Sequence, residues 1–390
     1  MKRKPHLTGA LVATWLTVVT GCQTESAPAS DLIHETRDSA GIPIAENTGF
    51  PSPEDSWVVD AEPFLSIGGA SADPPAMFDN VIQATRLSDG HIAILESEVA
   101  ELRYFDSGGR HLRTAGGRGE GPGEFEYAAT FVRLPGDTLL VDAGDRHLYF
   151  APNGDYAGEK AIDLVGLLGR DRTACGPISL LADGSLLLCE PVQPDVRGRW
   201  GSRRVARLVR IAGGGTEQPL GLFVSPNGGV LFSFGTWFAS GGSPMSVAIV
   251  NNPEYSVEVW SPDGELRRII HRRDGRRPPT DQEVDAALEM AMRLPPMGPS
   301  PPTPETPDLV PAAFGLTVGT HGDVWVRRAP LPGMRDATVF DAFDHEGRFR
   351  GQVRFDGYFW LYEVGDDYLL GARLDELDVP HIQLHRLRRE

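Results

Sequence analysis

The sequence predicts an all-β fold, a propeller of six blades with four antiparallel strands each, on three observations. Glycine turns recur with a period in the forties, each period contains a second glycine turn, and 45 Gly with 32 Pro in 390 residues disfavour long helices. The first turn set is Ser88-Asp89-Gly90, Pro135-Gly136-Asp137, Ala182-Asp183-Gly184, Thr320-His321-Gly322 and Val364-Gly365-Asp366. The second is Asp106-Ser107-Gly108-Gly109, Pro152-Asn153-Gly154, Gly213-Gly214-Gly215, Pro262-Asp263-Gly264 and His345-Glu346-Gly347. Asp-Gly and Asn-Gly supply the positive φ angles of hairpin turns, so two hairpins per period make four strands per blade. Members of the second set follow an aromatic or apolar pair, such as Tyr104-Phe105, Tyr149-Phe150, Val259-Trp260 or Ala342-Phe343.

The blades fall at residues 77–126, 127–173, 174–230, 231–274, 311–358 and 359–390. The last is short of a strand, and Trp57 to Ile67 (WVVDAEPFLSI) is a spare strand upstream of the first. Pairing the two would close the ring and hide two sheet edges; seven blades or an unclosed arc are the alternatives. The propeller then occupies 41–390, with an insertion at 275–310. Within it, DQEVDAALEMAMRL (281–294) has the spacing of an amphipathic helix, with Thr280 as N-cap and Glu283 as its capping-box partner. PPMGPSPPTPETP (295–307) then stops the helix. The insertion enters at a blade junction, where it would serve as a lid over that face or pack on the rim.

At the N-terminus, Lys2, Arg3 and Lys4 precede the apolar Leu7–Thr20, a run too short for a mature membrane span. Residues 1–21 therefore read as an export signal and 22–40 as a polar tether. The ending Val19-Thr20-Gly21-Cys22 resembles a bacterial lipobox, which implies lipidation of Cys22, and Gln23 in the following position implies the outer membrane. The formal charge is -17, and three basic residues belong to the leader, so nucleic acid and anionic head groups are poor partners. Two further cysteines, Cys175 and Cys189, flank the turn at 182–185 in an oxidising compartment. A two-residue loop there puts them on opposite faces of the hairpin and a one-residue bulge reverses that, so a disulfide stays open.

Gly116-Gly117-Arg118-Gly119-Glu120-Gly121-Pro122-Gly123-Glu124-Phe125, followed by LPGDTLLVDAGDRHLYFAPNGDY (134–156), resembles an NHL-type repeat. The chain is also similar to six-bladed β-propeller lipoproteins of environmental bacteria, including ETRDSAGIPIAENT (35–48) and LDEL (374–377). The resemblance implies a lipid-anchored propeller; such propellers include binding scaffolds, sensors and a few lyases or lactonases.

Glu96, Asp142, Glu190, Asn251, Arg327 and Arg373 each fall near the end of a second blade strand, on the face where blade links emerge. If the register holds they form a polar ring of ligand contacts, against the plainer alternative of solvated or mutually paired turn residues. His381 and His385 suit no metal pair, and Asp79 is the one carboxylate placed on an innermost strand, which weakens a central calcium site. No nucleophile elbow, Walker loop, dinucleotide fingerprint or HExxH occurs. These features favour a binding or scaffolding module for a protein, peptide or glycan, without a cofactor. The rival is a hydrolase or lyase using a divalent metal at Glu96, Asp142 and Glu190.

Overall fold

The computed structural model describes residues 31–69, 72–163, 166, 179–192, 203–212, 214–226, 237–252, 254–293, 306–330 and 337–389. Cys22 and Cys175 lie outside them. Strands β1 (Ile33–Ser39), β2 (Ile42–Thr48), β3 (Val58–Val59) and β4 (Leu65–Gly68) precede the first blade. Blade 1 comprises β5 (Val81–Arg86), β6 (Ile92–Glu96), β7 (Glu101–Phe105) and β8 (His111–Gly116). Blade 2 comprises β9 (Thr130–Arg133), β10 (Leu139–Asp142), β11 (Arg146–Phe150) and β12 (Tyr156–Ala161). Blade 3 follows with β13 (Ser179–Leu180), β14 (Leu186–Pro191), β15 (Arg203–Ile211) and β16 (Glu217–Pro226). Blade 4 holds β17 (Trp237–Gly241), β18 (Ser246–Asn251), β19 (Ser256–Trp260) and β20 (Leu266–Arg272). The helix α1 (Asp281–Arg293) follows, then blade 5 with β21 (Ala313–Val318), β22 (Val324–Arg328), β23 (Ala337–Phe343) and β24 (Phe349–Asp356). Blade 6 contributes β25 (Phe359–Val364), β26 (Tyr368–Leu374) and β27 (Pro380–Arg388).

Each blade is a meander in chain order from the axis outward, six blades in a ring. The second strands are the most buried, β6 and β10 throughout, because both their faces pack on neighbouring blades. The outermost β8 and β12 are largely exposed and polar. Apolar clusters fill the interblade spaces; Leu95, Tyr104, Phe125, Phe131 and Phe150, for example, join blades 1 and 2. The glycine-rich loop at 116–125 drives Phe125 into that cluster, its backbone folding back through Phe125 N–H to Gly117 O at 3.0 Å.

The pairs before the second glycine turns mark a recurrent β-bulge. Register shifts occur at Tyr104/Phe105, Tyr149/Phe150, Val259/Trp260 and Ala342/Phe343. The bulge re-aims the second residue of each pair, and Phe105, Phe150 and Phe343 are buried. In the turn after β11, Gly154 has φ +82°, and a Cβ there would stand 2.9 Å from Tyr104 of the preceding blade. Glycine is needed for both the turn and the interblade contact.

The ring is closed as the sequence predicts, and in two steps. Both β3 and β4 pair antiparallel with β27, with Leu387 opposite Val59 and Ile382 opposite Ile67. Trp57, just before β3, stacks on Trp325 with centroids 6.0 Å apart, and Ile67 enters the core between blades 6 and 1.

Residues 33–39, read from sequence as tether, instead form β1. The hairpin β1-β2 adds to blade 4 through a parallel pairing of β2 with β20, making a six-stranded sheet. Its two-residue turn, Ala40-Gly41, has φ of 55° and 86°, the signature of a hairpin turn. On an outer edge both faces of β1 meet water, so the strand needs no apolar alternation. Asn47 anchors the hairpin from a buried position: its amide donates to His271 O and Gly347 O and accepts from the Phe349 N–H.

In blade 3, Ser179 faces Leu187 and Leu180 faces Leu186, one residue away from the two-residue-loop register. Cys189 is disulfide-bonded. Among the described residues, no helix is long and apolar enough to cross a membrane.

Candidate functional site

The register puts all six predicted ring residues at one end of the blades. Glu96 faces Val81, Asp142 faces Thr130, Arg327 faces Gly315 and Arg373 faces Phe359, each partner lying at or near the start of an innermost strand. Asn251 ends β18 and Glu190 is the penultimate residue of β14. The link from β20 to β21, which carries α1, leaves from this same face.

Their local roles differ. Glu96 is buried and accepts backbone N–H bonds from Asn80 at 2.7 Å and Asp79 at 3.2 Å, pinning the link into blade 1. Asp142 is buried and accepts from Gly144 N–H at 2.9 Å, closing an Asx turn. Glu190 pairs with Arg207 at 2.7 Å. Asn251 is half-buried, and its neighbour Asn252 makes the interblade contacts, donating to Ala313 O at 3.0 Å and accepting from Ala313 N–H at 2.7 Å. Arg373 is exposed near the end of β26, the second strand of blade 6.

Arg327 stands apart. It is buried among aromatic rings, its guanidinium carbon 4.6 Å from the Tyr358 centroid and 5.5 Å from those of Phe314 and Trp360. Nη1 donates to Tyr358 Oη at 3.4 Å, and no carboxylate pairs with Arg327 among the described residues. Among the described residues Nε and Nη2 find no hydrogen-bond partner, yet they are not among the nitrogens sealed from solvent. Tyr358 and Trp360 lie nearly parallel with centroids 6.3 Å apart, and both are more than 40% exposed. Trp237 of blade 4 extends the aromatic surface, 4.9 Å from Phe314. On the other flank, Tyr362 donates to Val81 O at 3.0 Å; burial raises its phenol, and both Tyr358 and Glu96 act on it in the same direction. Tyr362 thus reaches the residue that faces Glu96 across blade 1.

The sequence reading named Arg327 but missed its aromatic frame. The signal lies in FDGYFWLYEV (355–364), where Tyr358, Trp360 and Tyr362 recur at every second position, the alternation of one strand face, although β25 begins at Phe359 and bulges at Tyr362. Phe359 and Leu361 between them are buried on the other face.

Asp79 proves to lie just outside β5, and the carboxylate on an innermost strand is Glu363 of β25. Glu363 accepts from the Thr85 and Tyr368 hydroxyls and from Arg86 N–H, so its oxygens are spent on holding blades 6 and 1 together. His381 pairs with Asp375 at 3.2 Å. His385 is buried against Phe355 and Phe359 and hydrogen-bonds Asp60 O at 2.9 Å; burial lowers its pKa. Among the described residues no group of three or more His, Cys, Asp or Glu gathers as metal ligands.

The insertion begins as predicted. Glu283 N–H donates to Thr280 Oγ1 at 3.3 Å, and Thr280 N–H donates back to Glu283 Oε2 at 2.8 Å. Arg277 chelates the same carboxylate at 2.6 and 2.8 Å, which lowers the Glu283 pKa to about 2. Arg276 ties the neck by donating to Val310 O at 3.0 Å.

Two cavities open at the opposite end of the blades. One of about 260 Å³ lies among Arg86, Arg133, Thr320, Asp366, Asp367 and Tyr368. The other, about 360 Å³, is lined by Trp57, His321, Asp323, His345 and Arg389.

The fold is similar to that of a member of the DUF4221 family from Bacteroides vulgatus, with a TM-score of 0.53 at 11% identity, covering 86% of this chain and 99% of that one. A candidate exported protein of Bacteroides fragilis is similar over 88% of this chain and 99% of its own, at 13% identity and a TM-score of 0.49. Virginiamycin B lyase from Staphylococcus aureus follows at 10% identity and a TM-score of 0.36, covering 85% of this chain and 99% of that one. No family model matches the sequence. No curated protein matches it either.

Proposed function

We propose that this chain is an exported, lipid-anchored binding module, and that its ligand, a peptide, a glycan or a segment of a partner protein, sits on the blade 5 and blade 6 side of the link-bearing face. The observation that carries the reading is Arg327, a guanidinium with no carboxylate partner among the described residues, framed by Phe314 and by the exposed rings of Tyr358 and Trp360. A protein core pairs its charges when it can, and an aromatic frame stabilises a cation without consuming its hydrogen-bond donors. Exposed aromatic surface beside an open donor set has the composition of a binding hot spot. The α1 insertion enters on this face and would border the site.

Anchoring is supported by the basic and apolar leader ending in Val19-Thr20-Gly21-Cys22, with Gln23 favouring the outer membrane. Mass spectrometry of the native protein should find Cys22 as the first residue, carrying acyl mass, and Cys22→Ala should release the protein from membranes. A wild-type protein that starts elsewhere, or a Cys22→Ala protein that still fractionates with membranes, contradicts anchoring.

For binding, glycan and peptide arrays probed with the detergent-solubilised full chain should give hits that fall at least about tenfold for Tyr358→Ala/Trp360→Ala, since truncating a hot-spot ring costs about 2 kcal/mol or more. Both rings are more than 40% exposed, so the variant should stay folded and unfold cooperatively, with a melting temperature lowered by the loss of their contacts to Arg327. Hits that survive the double substitution place the binding surface elsewhere.

A further inference from the structure

Resting on that reading, we infer the chemical class of the ligand: a single carboxylate carried on a six-membered ring, the carboxylate bound by Arg327 and the ring lying on Trp360 and Tyr358. Three observations converge. First, the nitrogens left open on Arg327 are Nε and Nη2, which form one edge of the guanidinium, whereas Nη1 is tied to Tyr358 Oη. Two parallel N–H donors on one edge match the two oxygens of a carboxylate, the bidentate geometry for which arginine is suited and lysine is not.

Second, the adjoining surface is aromatic and partly open. The Tyr358 and Trp360 planes are inclined by only 29°, and both rings are more than 40% exposed, which suits the flat face of a ring and gives little grip to an extended chain. Third, the chain carries a net charge of -17, and the buried Glu96 lies on the Tyr362 flank of the site. A monoanion meets less of that repulsion than a phosphate dianion does. A ring acid could come from a sugar acid or an aromatic acid; the shared requirement is the carboxylate beside a stacking face.

The test uses the full-length protein in detergent, labelled with 5-fluorotryptophan and titrated with D-glucuronate, benzoate, D-glucose, acetate and inorganic phosphate. The Trp360 resonance, assigned by Trp360→Phe, should move with glucuronate or benzoate, and the responding acid identifies the source. Glucose, acetate and phosphate should each bind at least about tenfold more weakly, because each lacks the carboxylate, the ring or the single charge. Arg327→Lys, which keeps the charge and loses the fork, should weaken the responding acid by about tenfold or more, the scale of a lost charge-assisted hydrogen bond. Arg327→Lys with an unchanged Kd, glucose or phosphate binding as tightly as the acids, or no response to either acid overturns the assignment. If the array hits still depend on Tyr358 and Trp360 after such a result, the ligand class has failed while the binding-module reading stands.

Discussion

Deleting residues 31–69 should abolish cooperative unfolding of this protein, whereas deleting residues 31–40 should lower the melting temperature by only a few degrees. The longer deletion removes β3 and β4, which fill the outer edge of blade 6 along β27, and with them Trp57 and Ile67. Each buried side chain of that size contributes on the order of 1.5–3 kcal/mol. Their loss opens two core clusters at once, the one between blades 5 and 6 and the one between blades 6 and 1. It also strips the first-to-last pairing that makes the ring a single cooperative unit. The shorter deletion takes β1 alone, an exposed edge strand that buries little. Thermal unfolding followed by circular dichroism separates the cases; equal effects from the two deletions would mean that β3 and β4 do not hold the ring.

Asp341→Ala should destabilise the protein by about 2–4 kcal/mol in urea, because the partly buried Arg328 and the buried Tyr255 hydroxyl lose their acceptor. Asp341 is fully buried and receives the Tyr255 hydroxyl from blade 4, Gln352 Nε2 at 2.7 Å and Arg328 Nη1 at 3.2 Å. It therefore joins two blades and neutralises a guanidinium. Tyr255 is buried beside it, and burial, together with the Asp341 charge, raises its phenol. Adding Arg328→Met to Asp341→Ala should recover part of the loss, because the stranded charge is then gone. Additive effects of the two substitutions would show that the pair is not coupled.

The blade count was legible because hairpin turns demand positive φ and so write glycine into the chain at each period. The bulge pairs, Phe125 and the Thr280/Glu283 cap were legible for the same reason: local geometry restricts the residue type. The β1-β2 hairpin was not. Its strand faces water on both sides, and its parallel pairing with β20 joins positions more than two hundred residues apart, which leaves no local pattern. At the candidate site, position along the second strand put Arg327 at the link-bearing end of its blade, which is where it lies. It could not reveal that Glu96 and Asp142 are consumed by backbone amides while Arg327 is not, since that depends on the path of loops and on Phe314, Tyr358 and Trp360 converging from two blades.

The proposed ligand site is the Arg327 cradle, and tryptophan-resolved fluorine NMR tests that proposal most directly. Trp360 borders the cradle on the link-bearing face, while Trp57 lines a cavity at the opposite end of the blades. On titration with glucuronate or benzoate the account predicts a saturable shift of the Trp360 resonance, lost in Arg327→Lys, with Trp57 unmoved. A shift of Trp57 with Trp360 unchanged would place the ligand on the other face and contradict the account.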